Sequence, residues 1–441
     1  MRRIKPGQIV LLGFAGFIAL GTLLLWLPVS RTGDEPMAWK AALFTSTSAV
    51  CVTGHAIVDT STYWSRFGQV VIMGLIQVGG FGIVMAASVL LLAARRNLGL
   101  RGRMLTQSES QAVTSSDVRR VLASVALFTV VVEALIAVTL TLRFWLGYGL
   151  SFGDAVWHGV FHAISAFNNA GFALYSDNLM GFQSDGWILI PIGLAVIIGG
   201  LGFPVFSDLH KRRRRLRRLT LHSKITLTGT ALLLFGGMFA FLATEWDNDK
   251  TLGPMSLPSK LLSAWFQSMT TRTAGFNSIS IGDMRDESWL LSDMLMFVGG
   301  GSGSTAGGVK VATFAILILI VLGEARGGQP PEAFRRRIPV PALRQSLSVA
   351  FLAINAITIA TLALMMLTPY ALDRCIFEVI SAFSTVGLST GITADLGTPG
   401  QLILVGLMYL GRVGPLALVL ALARRETQRL YDYPEESPLV G

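Results

Sequence analysis

Eight apolar runs dominate this chain of 441 residues, at approximately 8–28, 67–94, 121–146, 187–208, 224–244, 289–322, 344–368 and 401–423. A helix needs about 20 apolar residues to cross the hydrocarbon core of a bilayer. Charged residues make up only 14% of the chain, against about a quarter in soluble proteins. The chain therefore reads as an all-α integral membrane protein with eight transmembrane helices. Its first run follows Met1-Arg2-Arg3, as in a signal peptide. That run is too long for the apolar part of a leader, and no small-x-small cleavage site follows, so it reads as the first span.

Between the two runs of each pair lies a shorter, moderately apolar segment: Trp39–Ser48, Phe152–Phe167, Ser259–Thr270 and Leu372–Phe383. Segments this short cannot span, and a re-entrant helix fits their length. Each leads into a polar stretch holding a glycine. The most polar is Gln267-Ser268-Met269-Thr270-Thr271-Arg272-Thr273-Ala274-Gly275-Phe276-Asn277-Ser278, and the others end at Gly54, Gly171 and Gly387. The second span of each pair also carries a glycine cluster: Gly79-Gly80-Phe81-Gly82, Gly199-Gly200-Leu201-Gly202, Gly299-Gly300-Gly301-Ser302-Gly303 and Gly411-Arg412-Val413-Gly414. Each cluster begins 24–28 residues after its glycine. Two markers in register, four times over, define four repeats of span, re-entrant segment and span. The repeats cover 1–98, 99–218, 219–338 and 339–425, with a polar tail over 426–441. Internal symmetry of this kind is common in transporters.

Basic residues fall at alternate ends of the spans. Arg2, Arg3 and Lys5 precede the first. Arg95, Arg96, Arg101, Arg103, Arg119 and Arg120 flank the first link between repeats. Lys211–Arg218 and Arg326–Arg337 mark the next two links, and Arg424, Arg425 and Arg429 follow the last span. By the positive-inside rule both termini are cytoplasmic and the short segments enter from outside. The net charge of +10 is thus membrane orientation and contact with anionic lipid, not a nucleic-acid footprint. The run at 211–218 also admits a reading as a partner patch. Two cysteines, Cys51 and Cys375, make no disulfide framework. No cluster has metal-site spacing, and no Gly-x-Ser-x-Gly elbow offers a nucleophile. With single charges only at membrane depth, an enzyme is excluded as the leading class.

Irregular backbone in a bilayer survives only where protein buries it or it lines a watery cavity. Four such stretches around one axis can turn carbonyls inward and replace the hydration shell of a cation. Glycine suits the turning point because it accepts positive φ without a steric cost. Each re-entrant helix would aim its partly negative C-terminal end at the cavity.

These four stretches, with Gly300-Gly301-Ser302-Gly303-Ser304-Thr305-Ala306-Gly307-Gly308-Val309-Lys310 and Gly411-Arg412-Val413-Gly414-Pro415, resemble the Trk/Ktr/HKT superfamily of potassium transporters. The chain is most similar to the Ktr-type membrane subunit, since it starts directly at the first span of repeat one. The resemblance implies potassium uptake through a plasma (inner) membrane by a homodimer with one pore per protomer. It also implies a cytosolic ring of RCK-type regulatory subunits that bind nucleotide. Potassium is then the transported ion, with no organic cofactor in this chain and sodium coupling left open. A selectivity filter would comprise Val52, Thr53 and Gly54; Asn169, Ala170 and Gly171; Thr273, Ala274 and Gly275; and Thr385, Val386 and Gly387. Glycine in all four filters accompanies potassium selectivity in the family. The alternative is a sodium-permeable or weakly selective carrier of the same fold.

The stretch Gly299–Lys310 is not a phosphate loop, because Val309 separates Gly308 from Lys310 and a membrane span precedes it. So many glycines break the sixth span. The resemblance makes Gly300, Gly301, Ser302, Gly303, Ser304, Thr305, Ala306, Gly307, Gly308 and Lys310 an intramembrane gating loop. Arg412 lies in the eighth span, where a charge faces the interior or a watery cavity. It is expected to line the pore as a barrier, or else to pair with Glu133 or Glu378. Glu378 itself is expected to hold backbone N–H groups behind the filter. Arg272 is expected to brace the filter from behind. His55 departs from the family's apolar residue. It is either a neutral imidazole turned away from the pore or a charge at the outer mouth.

Overall fold

The computed structural model describes residues 6–33, 38–96, 115–213 and 216–414. Arg101, Arg103, Pro415, Arg424, Arg425 and the tail over 426–441 lie outside the described residues.

Repeat one is built of α1 (Pro6–Trp26), α2 (Trp39–Cys51) and α3 (Arg66–Arg96). Repeat two holds α4 (Ser115–Tyr148), α5 (Phe152–Phe167), α6 (Gly186–Leu201) and α7 (Phe203–Arg212). In repeat three come α8 (Leu221–Glu245), α9 (Leu257–Thr270), α10 (Asp286–Phe297) and α11 (Val311–Ala325). Repeat four has α12 (Val340–Leu367), α13 (Leu372–Phe383) and α14 (Gly397–Val413). A short hairpin, β1 (Glu332–Ala333) with β2 (Arg336–Arg337), joins repeats three and four.

The spans are of two kinds. The first of every repeat is long and apolar enough to cross a membrane unaided: Gln8–Trp26, Leu122–Tyr148, Leu221–Glu245 and Val340–Leu367. These helices carry exposed Leu12, Leu135, Phe239 and Met366 on their outer faces. Apolar side chains outside and polar ones inside suit a solvent of lipid. Two of the four second spans, those of repeats two and three, are interrupted. The expected single span over 187–208 is two helices, α6 and α7, bent by 88° at Gly202. The sixth span is broken, as expected, by residues 298–310.

The bend in repeat two has a local cause. Gly202 takes a φ of 87°, and Pro204 opens the next helix, where its missing N–H costs nothing. Pairing of glycine with proline two residues on was the available signal.

The short helices α2, α5, α9 and α13 have 13, 16, 14 and 12 residues. At about 1.5 Å per residue none reaches across a hydrocarbon core of about 30 Å. Small residues let each lie close to the first span of its repeat. Ser46 of α2 donates to the Ile18 carbonyl at 2.8 Å, and a side chain at Gly21 would strike that serine. Ser268 of α9 repeats the contact on Leu234 at 2.7 Å, opposite Gly237. Polar bonds between close helices are the adhesive available where lipid and protein are equally apolar.

The repeats then join in a cycle. Short helix α5 packs on α3 of the preceding repeat, α9 on α6, α13 on α10, and α2 on α14. The last contact closes a ring of four.

Candidate functional site

All four short helices end at the same backbone figure. The residue two before each glycine adopts a left-handed conformation: Val52 at φ 56°, Asn169 at 60°, Thr273 at 72° and Thr385 at 52°. The glycines follow at φ 90°, 70°, 78° and 94°. For β-branched Val and Thr this region is a genuine outlier, and such strain persists only where surrounding structure enforces it, at about 1–3 kcal/mol each. Here the enforcement is visible. Thr53 N–H donates to Ser48 O at 2.8 Å, Ala170 to Ser165 at 2.7 Å, and Val386 to Ser381 at 2.8 Å. In repeat three the brace starts one residue nearer the glycine, with Ala274 donating to Thr270 at 2.9 Å. Hydroxyls reinforce it. Ser48 accepts from Gly54 N–H at 3.0 Å, and Ser381 from Gly387 N–H at 3.1 Å.

The glycines meet. A methyl group on Gly54 would collide with the Ala170 carbonyl oxygen. On Gly171 it would lie 2.7 Å from the Ala274 carbonyl, on Gly275 it would strike that of Val386, and on Gly387 that of Thr53. Each quarter thus presents the carbonyl before its glycine to the glycine of a neighbouring quarter, and the cycle closes from four back to one. No side chain fits, so glycine is required four times by both space and φ.

Below the ring lies the loop over 298–310. Its ends are tied by Gly299 N–H on Val309 O at 2.8 Å, and Val311 N–H donates to Gly300 O at 3.1 Å. Ser304, Thr305 and Ala306 are buried. Thr305 is the hub. Its N–H donates to Gly199 O at 3.3 Å, its hydroxyl to Asn169 Oδ1 at 2.9 Å, and its carbonyl accepts from Arg412. Arg412 also donates to Gly79 O at 2.9 Å. Lys310 Nζ donates to Ala306 O at 2.5 Å and Gly307 O at 3.3 Å. The loop tip needs the bend at Gly202, where any side chain would press on Gly303 O at 2.9 Å.

The glycine clusters now have a reason. Gly79, Gly199 and Gly411 bring their helices onto the carbonyls of Val50, Phe167 and Phe383, each four residues before a ring glycine. In repeat three the matching Gly299 meets the loop's own Gly307 carbonyl and the Thr273 methyl instead, while Gly307 presses on Ser384 and Thr385 of repeat four.

The TrkH cation transport protein family matches residues 13–432. The chain belongs to that family. It is 39% identical to the Ktr system potassium uptake protein B of Bacillus subtilis (strain 168), over all of this chain and 97% of that one. It is 36% identical to the potassium/sodium uptake protein NtpJ of Enterococcus hirae, over all of this chain and 98% of the relative. Its fold matches the crystal structure of the potassium transporter TrkH from Vibrio parahaemolyticus with a TM-score of 0.75 at 18% identity, covering 96% of this chain and 86% of that one. The all-α membrane fold with re-entrant helices is thereby established.

Within this TrkH-family chain, the four glycines expected in the filter and the residues before them, Thr53, Ala170, Ala274 and Val386, come together in one place. Arg412 is buried between the loop carbonyl of Thr305 and the α3 carbonyl of Gly79, and neither expected acid is its partner. Glu133 instead accepts from Gln77 at 3.1 Å and Asn168 at 3.0 Å. Glu378 accepts from Ser389, Thr390 and Thr393 of the segment beyond Gly387, including the Thr390 N–H at 2.9 Å. Arg272 turns away from the ring to Thr230, whose hydroxyl lies 3.2 Å away. Sequence reading missed Asn168, Gln77 and the hub role of Thr305. Paired asparagines at the end of a short helix were the only visible sign.

Proposed function

We propose that this chain takes up potassium across the plasma membrane, through the ring as a carbonyl selectivity filter. The observation that carries this is the closed cycle of four glycines, each against the carbonyl before another. Such a ring can replace the water around a bare cation. The filter residues are Val52 to Gly54, Asn169 to Gly171, Thr273 to Gly275 and Thr385 to Gly387. The loop from Gly300 to Lys310 is the gate, and Arg412 is both its clasp and a barrier to a passing cation. The membrane potential drives uptake, at about 2.3 kcal/mol per charge for each 100 mV. The termini are cytoplasmic and the filter opens outward, as the basic links require. The relatives named for a Ktr system support a partner subunit within such a system, and a homodimer with a cytosolic nucleotide-binding ring is part of the same proposal.

A second reading, a sodium-permeable carrier, draws on the potassium/sodium uptake protein among the relatives. Rb⁺ and Na⁺ uptake into vesicles holding the purified chain separates the two. Preference for Rb⁺ is expected; equal uptake of both ions favours the second reading.

A further inference from the structure

Between α3, α4 and the bend at Gly202 lies a hollow of about 30 Å³. Phe81, Phe128, Ile198 and Phe203 form its partly exposed mouth. Its floor is buried and ends on Ser304 and Thr305 of the loop. On α4, Phe128 is flanked by exposed Leu127, Val130 and Val131, an apolar face of the kind that meets lipid. A hollow so lined stays dry, and its size admits the end of one hydrocarbon chain rather than a larger ligand. Depth points the same way. Trp187 is exposed at the start of α6, where an indole marks a membrane surface. Gly202 comes 15 residues later, about 22 Å deeper. In a hydrocarbon core of about 30 Å it lies about 8 Å from the opposite surface. There α7 turns off by 88° and runs along that surface. Its far end carries Lys211 and Arg213, both exposed, with exposed Arg217 and Arg218 just beyond. Arg212 is held by Asp208 at 2.9 Å, but among the described residues no carboxylate pairs with the other four. The ten residues of α7 cover about 15 Å. One leaflet's half of the core is about 15 Å as well. The loop tip, meanwhile, is boxed in elsewhere. Gly301 sits against the Leu201 carbonyl and Gly307 against Ser384 and Thr385, and Arg412 holds the Thr305 carbonyl. The hollow is the side left for the tip to retreat into.

We propose that this hollow binds the end of one acyl chain of an anionic phospholipid whose head group rests on the basic turn after α7, and that the chain holds the gate shut. This rests on the gate reading above. A soluble anion would reach the basic turn but not the hollow, and an apolar solute the hollow but not the turn. A phospholipid joins the two, because its chain is as long as the helix between them. With the chain in place, Ser304 and Thr305 have no room to leave the axis. When the lipid leaves, the tip swings under the bend at Gly202, gives up the Thr305 bond to Asn169 and uncovers the ring.

The test uses the full chain in vesicles and reads binding and flux separately. Phosphatidylglycerol bearing a diazirine at the end of one acyl chain is added to phosphatidylcholine vesicles, illuminated, and its adducts are located by mass spectrometry. Adducts are expected within residues 125–129, 198–203 and 303–305. Rb⁺ uptake in phosphatidylglycerol vesicles should be about fivefold lower than in phosphatidylcholine of the same chains, the low end of an effector's coupling. An anionic surface alone attracts cations and acts the other way. Replacing Lys211 and Arg213 together by Gln should cut the adducts several-fold and bring uptake in the two lipids together. Ile198→Trp, which fills the mouth, should lose the adducts. Adducts confined to other residues, or undiminished in Ile198→Trp, overturn the site. Undiminished adducts in the double variant overturn the place of the head group. Adducts at the site with equal Rb⁺ uptake in both lipids defeat the hold on the gate alone. Adducts at the site with no Rb⁺ uptake in any vesicle defeat the uptake reading beneath it and leave the lipid site standing.

Discussion

The ring and the loop beneath it are built on opposite plans. The ring repeats one backbone figure four times, with a left-handed residue, a carbonyl and a glycine in every quarter. The loop occurs once, in repeat three, and ties itself to all the other repeats through Thr305, Arg412 and Gly307. A site on an axis must offer the same chemistry from every side. A barrier across that axis needs only one arm and an anchor on the far wall. On the proposed reading, symmetry belongs to recognition and asymmetry to control.

The sharpest way to break this comparison is to spoil one quarter of the ring. Gly54→Ser places a side chain at φ 90° against the Ala170 carbonyl. The Rb⁺/Na⁺ uptake ratio should fall about tenfold, which takes a difference of only about 1.4 kcal/mol between the ions. An unchanged ratio would mean that the ring does not select. Deleting residues 301–306 of the loop should leave that ratio in place and raise the rate several-fold. Unchanged or lower flux in a folded variant would sink the gate. Next comes Arg412→Ala, which removes charged bonds worth about 1.5–3 kcal/mol each. It should raise flux about tenfold with assembly intact, as judged by gel filtration. A variant that fails to assemble would make Arg412 a structural tie. Smallest is Thr305→Val, which loses one hydroxyl bond of about 1 kcal/mol to Asn169 and should raise flux about fivefold. Flux equal to wild type would move the hub elsewhere.

The two plans also differ in how far the sequence reveals them. Four copies of a pattern reinforce each other, so the ring residues stand out, and α5 and α13 occupy the expected ranges to the residue. Strain at Val52, Thr273 and Thr385 was hidden, because such residues alone suggest extended chain. The loop's position was legible from its glycines, but its bonds were not. Thr305 meets Asn169 across 136 residues and Arg412 across 107. Local pattern carries no trace of such contacts, and a feature present once has no second copy to check it. The bend at Gly202 did leave a local sign, a glycine with Pro204 two residues on, but its purpose did not: it makes room for Gly303, about a hundred residues further on.

Closing the ring within one polypeptide has a consequence for inheritance. In an assembly of identical subunits every codon change strikes all the walls of a pore together, and most such changes are ruinous. Here a codon alters a single wall. One quarter can vary while the other three stay as they are, as a histidine after only the first of the four glycines illustrates.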